Sequence, residues 1–327
     1  RKVISKLKLR ASYGQVGNAN LGGRRFAYLS TITDDYDTLN MYKWGLDSSY
    51  GLTGMAEGEF AVQDLTWEIV NKMNLGVELG FLNGMIDLQL DYFDERRKDI
   101  FMPRESVPMT AGFMKQPWKN FGKVTNQGVE VSLNVNKQFG KDLFVSLMGT
   151  FTYAHNEITE KDEPSAVVGT NRAETGHPVG QLTGYIAEGL FTEDDFEDVS
   201  TGKLKEGIPT QSFVSKLRPG DIRYRDVNGD GKVDVFDKSP IGGTKDPEIV
   251  YGFGLNMKYK DLDFGALFQG IGRSWNILGS SIIPGANRGV TGNMFTNAND
   301  RWTVDNPSQN VFYPRLDDGI NLSLIHI

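Results

Sequence analysis

The chain has 327 residues and no cysteine, which excludes disulfide-stapled scaffolds and thiol chemistry. It also has no run of 18 apolar residues, so we expect no transmembrane helix. Its three histidines, His155, His177 and His326, show no HExxH or comparable metal-binding spacing. Nucleophile-elbow, Walker A and dinucleotide-binding glycine motifs are missing as well. From these absences we expect a protein that is not an enzyme and has no catalytic or cofactor-binding residues.

Positive charge is scarce too. The formal net charge is −7, and the longest basic run, Arg96–Lys98, has only three members. We expect no nucleic-acid partner, because surfaces that bind nucleic acid neutralise its phosphates with a basic patch. Glycine, by contrast, is abundant. It makes up 38 of the 327 residues, above its usual share of about 7%, which suits tight turns in a β-rich fold.

The strongest positive signal is an alternation of apolar and polar residues. A period of two predicts strands with one apolar and one polar face. Runs of about ten residues match the length that a tilted strand needs to cross a bilayer. The alternating segments are Leu7–Tyr13, Met73–Phe81, Ile86–Tyr92, Val129–Val135, Leu143–Tyr153, Tyr251–Tyr259 and Leu262–Phe268. We expect their apolar sets to face lipid. The side chains expected to face the lumen are Glu78, Asp87, Gln89, Asp91, Glu130 and Asn134.

The connections between these segments alternate between two kinds. Tight links lie at 82–85, 139–142 and 259–262, and long stretches occupy 17–69, 94–125, 156–248 and 270 onward. Short turns on one side and long loops on the other are typical of bacterial outer-membrane β-barrels. Soluble sandwiches and propellers also use alternating strands. The long loops favour the barrel, because structureless loops of this length are uncommon in compact soluble domains.

One short motif points to a metal. The segment 226–237 fits the twelve-residue calcium loop of EF-hands, with Gly231 at the sharp turn. Its last position holds Asp237 where a longer glutamate is usual, and its flanks do not resemble helices. A turn rich in aspartate and asparagine that holds no ion is the alternative interpretation. The predicted Ca²⁺ ligands are Asp226, Asn228, Asp230, Lys232 through its carbonyl, Asp234 and Asp237.

Several further stretches, taken in their order, resemble one family. The chain is similar to the barrel of SusC/RagA-type TonB-linked outer-membrane proteins from near Leu7 to near Leu316. Phe121 stands where that family usually has valine. The stretches are Leu7–Asn18, Leu65–Glu68, Asn120–Val124, Asn126–Glu130, Gly184–Tyr185, Gly189–Phe191, Pro219–Tyr224, Arg301–Thr303, Asp305–Pro307 and Pro314–Arg315.

The resemblance implies an all-β fold: part of a transmembrane antiparallel β-barrel of about 22 strands with long extracellular loops. It implies a location in the bacterial outer membrane and import of an oligosaccharide or a peptide. It also implies an upstream plug, a TonB complex that supplies energy, and a SusD-like surface lipoprotein. A passive or adhesive outer-membrane barrel, or a secreted β-rich carbohydrate-binding protein, is the alternative.

For the domain organisation, we expect residues 1–321 to be barrel, with the acidic loop 226–237 inside an extracellular loop at 156–248. Residues 322–327 are expected to be the translation of a sequencing adapter, and a genuine strand start is the alternative.

Overall fold

The computed structural model describes residues 3–33, 42–44, 46, 50–52, 55–113, 115–214, 216–277 and 296–315. The last part of the family resemblance, at Leu316, and the predicted adapter segment 322–327 lie outside these residues, as does His326.

Strands account for nearly all regular structure in the described part of the chain. Four single-turn 3₁₀ helices accompany them, at Met109–Ala111, Glu193–Asp195, Val235–Asp237 and Thr296–Asn299. No helix among the described residues has both the length and the apolar character needed to span a membrane. The strands are β1 (Ile4–Asn18), β2 (Ile32–Thr33), β3 (Tyr42–Trp44), β4 (Tyr50–Leu52), β5 (Ala56–Glu57), β6 (Glu68–Phe81), β7 (Ile86–Pro103), β8 (Trp118–Phe139), β9 (Leu143–Glu160), β10 (Thr183–Gly184), β11 (Ala187–Leu190), β12 (Phe196–Asp198), β13 (Lys203–Leu204), β14 (Thr210–Gln211), β15 (Ile222–Tyr224), β16 (Lys232–Val233), β17 (Ser239–Pro240), β18 (Ile249–Tyr259) and β19 (Leu262–Gly272).

The seven long strands form one antiparallel sheet in the order β1-β6-β7-β8-β9-β18-β19. Each of the seven alternating segments in the sequence lies within one of these strands, so the predicted all-β fold is confirmed. The sheet belongs to a compact unit that comprises Arg1–Val168, Ala173–Val179 and Pro247–Ser274.

The register of the sheet brings residues of like character into common rows. Because side chains alternate between the two faces of a strand, neighbouring rows point in opposite directions. One apolar row consists of Leu9, Val77, Leu90, Val131, Phe151 and Tyr251. The next row, on the opposite face, consists of Arg10, Gly76, Asp91, Glu130 and Thr152, and it continues into Val250 on β18 and Ile271 on β19. The residues expected to face lipid and those expected to face the lumen therefore fall on opposite faces of the sheet.

All three tight links join neighbouring strands of this sheet. In the first link, Leu82, Asn83 and Gly84 have φ values of 52°, 60° and 83°. In the other two, Gly140 and Lys260 have φ values of 63° and 52°. Left-handed conformations of this kind match the twist of the flanking strands and close hairpins within a few residues.

The connection expected at 94–125 is shorter than the sequence pattern suggested. Strand β7 continues to Pro103 and β8 begins at Trp118, so the connection between them covers only 104–117. The alternation fades here because the run of apolar residues on one face ends at Tyr92 in β7 and at Val129 in β8. The next residues on that face are Asp94 and Gln127. Outside hydrocarbon a strand keeps its backbone hydrogen bonds but no longer needs an apolar face.

The stretch expected to be a structureless loop at 156–248 contains short strands. It supplies most of a second compact unit, made of Gly169–Arg172, Gly180–Asp246 and Trp275–Ile327. This unit has its own small core, in which Phe191, Phe196 and Leu217 are buried. Two-residue to four-residue strands pair around that core: β10 with β17, β11 with β15, β12 with β13 and β14 with β16.

The two faces of β8 predict opposite responses to the same substitution. Val131 lies between Leu90 and Phe151, whereas Ser132 lies between Gln89 and Thr150. An arginine on the lipid face at mid-bilayer costs roughly 2–4 kcal/mol, and a charge on the lumen face costs little. We expect Val131→Arg to reduce the amount of assembled full-length protein in the outer membrane far more than Ser132→Arg. Equal amounts of the two variants in membrane fractions would contradict the assignment of faces.

Candidate functional site

The acidic loop 226–237 lies in the second unit; it follows β15 and ends with a single helical turn at Val235–Asp237. Gly229 and Gly231 have φ values of 77° and 84°, which are conformations that glycine adopts at little cost. Val233 is fully buried in β16, which pairs in parallel with β14. The turn at the sixth position and the short β contact at the eighth follow the predicted loop pattern.

Most of the predicted ligands bind backbone N–H groups of the loop itself. Asp226 accepts hydrogen bonds from Gly229 through Oδ1 and from Gly231 through Oδ2, both at 2.7 Å. Asn228 Oδ1 accepts from the N–H of Asp230 at 2.9 Å. The remaining predicted ligands make similar short-range contacts: Asp230 Oδ1 accepts from Lys232 N and Asp234 Oδ1 from Phe236 N, each at 2.9 Å.

Asp237 is the residue that closes the loop. Its side chain is fully buried. Oδ1 accepts from Val227 N at 2.8 Å and from Asn228 N at 3.3 Å, and Oδ2 accepts from Asp234 N at 2.7 Å. One carboxylate thus ties the beginning of the loop to its end. A buried carboxylate with three backbone donors is well satisfied, so Asp237 is a structural residue of the loop whether or not a cation is bound.

The donor set of the loop suits a hard cation. It offers four carboxylates and an amide, and the carboxylate oxygens of Asp226 each keep a second lone pair after accepting one N–H. Within the described residues, however, no three His, Asp or Glu side chains converge as a ready-made metal site. The calcium ligands therefore stay a prediction.

A second polar cluster lies on the lumen face of the sheet. Arg10 on β1 reaches across β6 to Asp91 on β7, with Nη2 at 2.8 Å from both carboxylate oxygens. A Cβ atom at Gly76, which lies between them in the register, would overlap Asp91 and approach the Arg10 guanidinium. The absence of a side chain at Gly76 is thus what lets one ion pair span three strands.

The same cluster is extended by Glu78, whose carboxylate lies 2.8 Å from Lys6 Nζ and 3.2 Å from Lys8 Nζ. The sequence pattern predicts Glu78 and Asp91 on the lumen face and places Lys8 and Arg10 at polar positions of the first segment, but it does not predict the ion pairs between them. The alternation contains the signal, because Lys6, Lys8 and Arg10 occupy successive polar positions of that strand.

Motif pieces that are distant in sequence meet at the loop-side ends of β1 and β6. The ring of Trp67 lies over Gly17, where a Cβ atom would overlap it. The side-chain amide of Asn120 makes two hydrogen bonds with the backbone of Thr66. It accepts from the N–H at 3.1 Å and donates to the C=O at 3.0 Å. The side-chain amide of Asn120 thus replaces a strand neighbour and fixes the segment that presents Trp67.

Three more motif pieces meet in the second unit. Gly220 has a φ of 87°, and the indole ring of Trp302 lies where a Cβ atom would be. The next residue, Asp221, is buried and accepts from Arg315 Nε at 3.2 Å and Nη2 at 3.0 Å. The N–H of Arg315 donates to the C=O of Gly220 at 2.9 Å. These motif residues therefore form one packed node that joins residues about 80 to 95 positions apart.

The combination of this sheet with these motif contacts agrees with comparisons to known proteins. Residues 2–305 match the family described as "TonB dependent receptor-like, beta-barrel". The chain belongs to this family. It is 27% identical to TonB-dependent receptor P26 of Formosa agariphila over 322 residues, which is 95% of this chain and 30% of that protein. It is 29% identical to TonB-dependent receptor SusC of Bacteroides thetaiotaomicron over 269 residues, 80% of this chain and 24% of that protein.

A solved structure titled as the RagAB peptide transporter shares the fold. It aligns with a TM-score of 0.65 and 23% identity, over 97% of this chain and 31% of that one. The chain thus spans about a quarter to a third of the length of the relatives that it matches. The resemblance to SusC and RagA is confirmed, and so is the assignment to the bacterial outer membrane.

The node around Trp302 predicts a difference between two glycines of matched conformation. Gly220 and Gly207 have φ values of 87° and 86°, but only Gly220 has a ring where its Cβ would be. Alanine at either position pays for a left-handed backbone, about 1 kcal/mol or more. We expect Gly220→Ala to cost a further 1–3 kcal/mol, roughly, because of the overlap. Limited proteolysis of the second unit in the intact protein measures this: Gly220→Ala should be nicked faster than Gly207→Ala, and equal rates would contradict the packing.

Proposed function

We propose that the receptor to which this chain belongs imports a nutrient, an oligosaccharide or a peptide, across the outer membrane. Family membership supports transport in general, since the family consists of transport receptors and not of enzymes. The observation that carries the proposal is the sheet itself. It has one outward apolar face and an opposite face with a continuous network of ion pairs around Arg10, Glu78 and Asp91. Such a division suits a barrel with a polar interior.

In this proposal, import needs three components in addition to the barrel strands. A TonB complex of the inner membrane supplies energy, an upstream plug closes the barrel, and a SusD-like lipoprotein covers it from outside. Support comes from the likeness to SusC, and from the solved relative titled as a peptide importer with "open-open" and "closed-closed" states. We propose no nucleic-acid partner and no catalytic residues.

The central test of this function removes the energy supply without removing the barrel. Deletion of the plug's TonB-contacting segment in the complete protein should abolish growth on the imported nutrient, while the amount of protein at the surface stays unchanged. Growth at the wild-type rate would contradict energised import and favour a passive barrel.

We also propose that the loop 226–237 binds Ca²⁺ in a structural role. Its support is the spacing of Asp226, Asn228, Asp230 and Asp234, together with the left-handed turn at Gly231. Four carboxylates in one short loop repel one another, and a divalent cation relieves that repulsion. Flexible loops with many oxygens favour Ca²⁺ over Mg²⁺, which requires a tight octahedron. The cation would brace the exposed loop and take no part in catalysis.

The calcium proposal predicts a protease pattern that responds to chelator. In the intact transporter, chelator should accelerate nicking within 156–248, and Asp230→Ala should be nicked rapidly with or without chelator. Glu206→Ala is the matched control, because Glu206 is an exposed acid in the same unit but outside the loop. If chelator leaves the wild-type pattern unchanged, the segment is an acidic turn that binds no calcium.

A further inference from the structure

Side chains at the ends of three neighbouring strands of the sheet form a compact ionic cluster. The cluster lies where the chain passes from the sheet into long connections. The cluster involves His155 near the end of β9, Glu248 just before β18 and Arg273 just after β19. The backbone of Glu248 joins both neighbours: its C=O accepts from Ala154 N at 2.9 Å, and its N–H donates to the C=O of Arg273 at 3.3 Å. One more backbone bond joins the two segments beyond this point, from Trp275 N to the C=O of Thr244 at 2.9 Å.

The side chain of Glu248 repeats the same connection. Its Oε1 lies 2.5 Å from Nδ1 of His155, and its Oε2 lies 3.1 Å from Nη1 of Arg273. The Glu248 side chain is only 16% exposed, whereas its two partners are about half exposed. One partly buried carboxylate therefore joins side chains from both adjacent strands, and such charge-assisted contacts are stronger than those of a surface pair.

Arg273 is held in place by more than its charge. Its φ is +51°, a left-handed conformation that is unfavourable for a side chain with a Cβ atom. Its guanidinium carbon lies 5.5 Å from the ring centroid of Tyr153, and Nη1 lies 3.5 Å from the phenol oxygen. The backbone turns at Arg273 so that the guanidinium lies against both β9 and Glu248. A strained conformation of this kind persists only where surrounding contacts compensate for it.

The cluster lies where long connections join β9, β18 and β19. Residues 161–248 connect β9 to β18, and the chain leaves β19 at Arg273. Ladder ends open most readily, because they have few neighbours that must open with them. Opening of these ends would free both the beginning of β18 and the end of β19.

We propose that His155, Glu248 and Arg273 form a conformational latch that keeps the loop-side ends of β9, β18 and β19 paired and releases them in acid. The groups that face Glu248 are His155, Arg273 and, through Arg273, Tyr153. His155 donates to Glu248 from Nδ1 in the tautomer that has its hydrogen there. Protonation of Glu248 removes the negative charge that holds both partners, and this opens the latch.

The direction of the pH response follows from the contacts of Glu248. Burial alone would raise the pKa of this carboxyl, but the contacts with His155 and Arg273 outweigh burial and hold the pKa below its usual range. The folded pKa is thus lower than that of an unfolded glutamate, about 4.3. The stabilisation is complete above that value and is lost as the pH falls through the lowered pKa of the folded protein.

Hydrogen exchange of the complete protein in outer-membrane vesicles tests the latch. At neutral pH we expect the amides of Ala154 and Glu248 to exchange about tenfold faster in Glu248→Gln than in the wild type. Glu157→Gln is the matched control, because it also removes one negative charge. Glu157 lies on β9 and makes no ion pair with another described residue. In the wild type, rates corrected for intrinsic exchange should rise only as the pH falls below the usual pKa of glutamate.

Three outcomes would overturn the proposal. The first is exchange in Glu248→Gln that matches the wild type, and the second is equal acceleration in Glu157→Gln. The third is a wild-type response to acid that Glu248→Gln retains in full. If Glu248→Gln does not assemble, His155→Gln and Arg273→Gln are compared with Glu157→Gln in the same way. Unchanged exchange in both would also rule out the latch.

Discussion

The constraint on which the rest of this structure depends is that no backbone polar group can be left without a partner in hydrocarbon. The five inner strands of the sheet meet it with antiparallel neighbours on both sides, and the register runs without a shift through the middle of the ladder. Among the described residues, β1 and β19 are paired on one side only. The recorded shifts lie near strand ends: at Ile4/Lys6 in β1, between Arg97 and Phe101 in β7, and at Lys123/Val124 in β8. Because a slip of one residue would turn every side chain to the other face, an unbroken register also fixes which residues meet lipid.

Once the register is fixed, glycine decides where side chains can cross it. Gly76 leaves room for Arg10 to reach Asp91 over an intervening strand. At Gly17 and Gly220 the space is filled by the rings of Trp67 and Trp302. An aromatic ring over a strand or turn glycine covers backbone that would otherwise be exposed. Gly17 and Gly220, two glycines of the family motifs, thus each have a tryptophan partner from a different motif piece.

The sequence alone predicts the sheet well, because alternation and tight links are local properties. All seven segments became strands, and the three predicted links became hairpin turns. Strand ends were predicted less well: β8 begins at Trp118, eleven residues before the alternation at Val129 begins. Beyond the lipid boundary apolar and polar residues no longer alternate, so the pattern that reveals a strand disappears while its backbone pairing continues.

The contacts of the acidic loop and of the ionic clusters could not be predicted in the same way. Asp226 and Asp237 were identified from their spacing, but spacing does not show that Asp237 closes the loop through Val227 and Asp234. The partners of Glu248 come from strands more than 20 positions away in each direction, and only the register brings them together. Tertiary pairing of this kind has no signature in a single local pattern.

Alternate residues of β8 face lipid up to a sharp boundary, and the division of the sheet into two faces depends on this. The chain has no cysteine, so single cysteines can be placed along 125–135 without removing native ones. A nitroxide at each position, read by its accessibility to a lipid-soluble and a water-soluble relaxant, measures the environment directly. We predict lipid exposure at Val129, Val131, Leu133 and Val135, and water or protein around the residues between them. Lipid exposure should be lost from Gln127 toward the beginning of β8. Accessibility without a period of two, or lipid exposure that continues past Gln127, would contradict it.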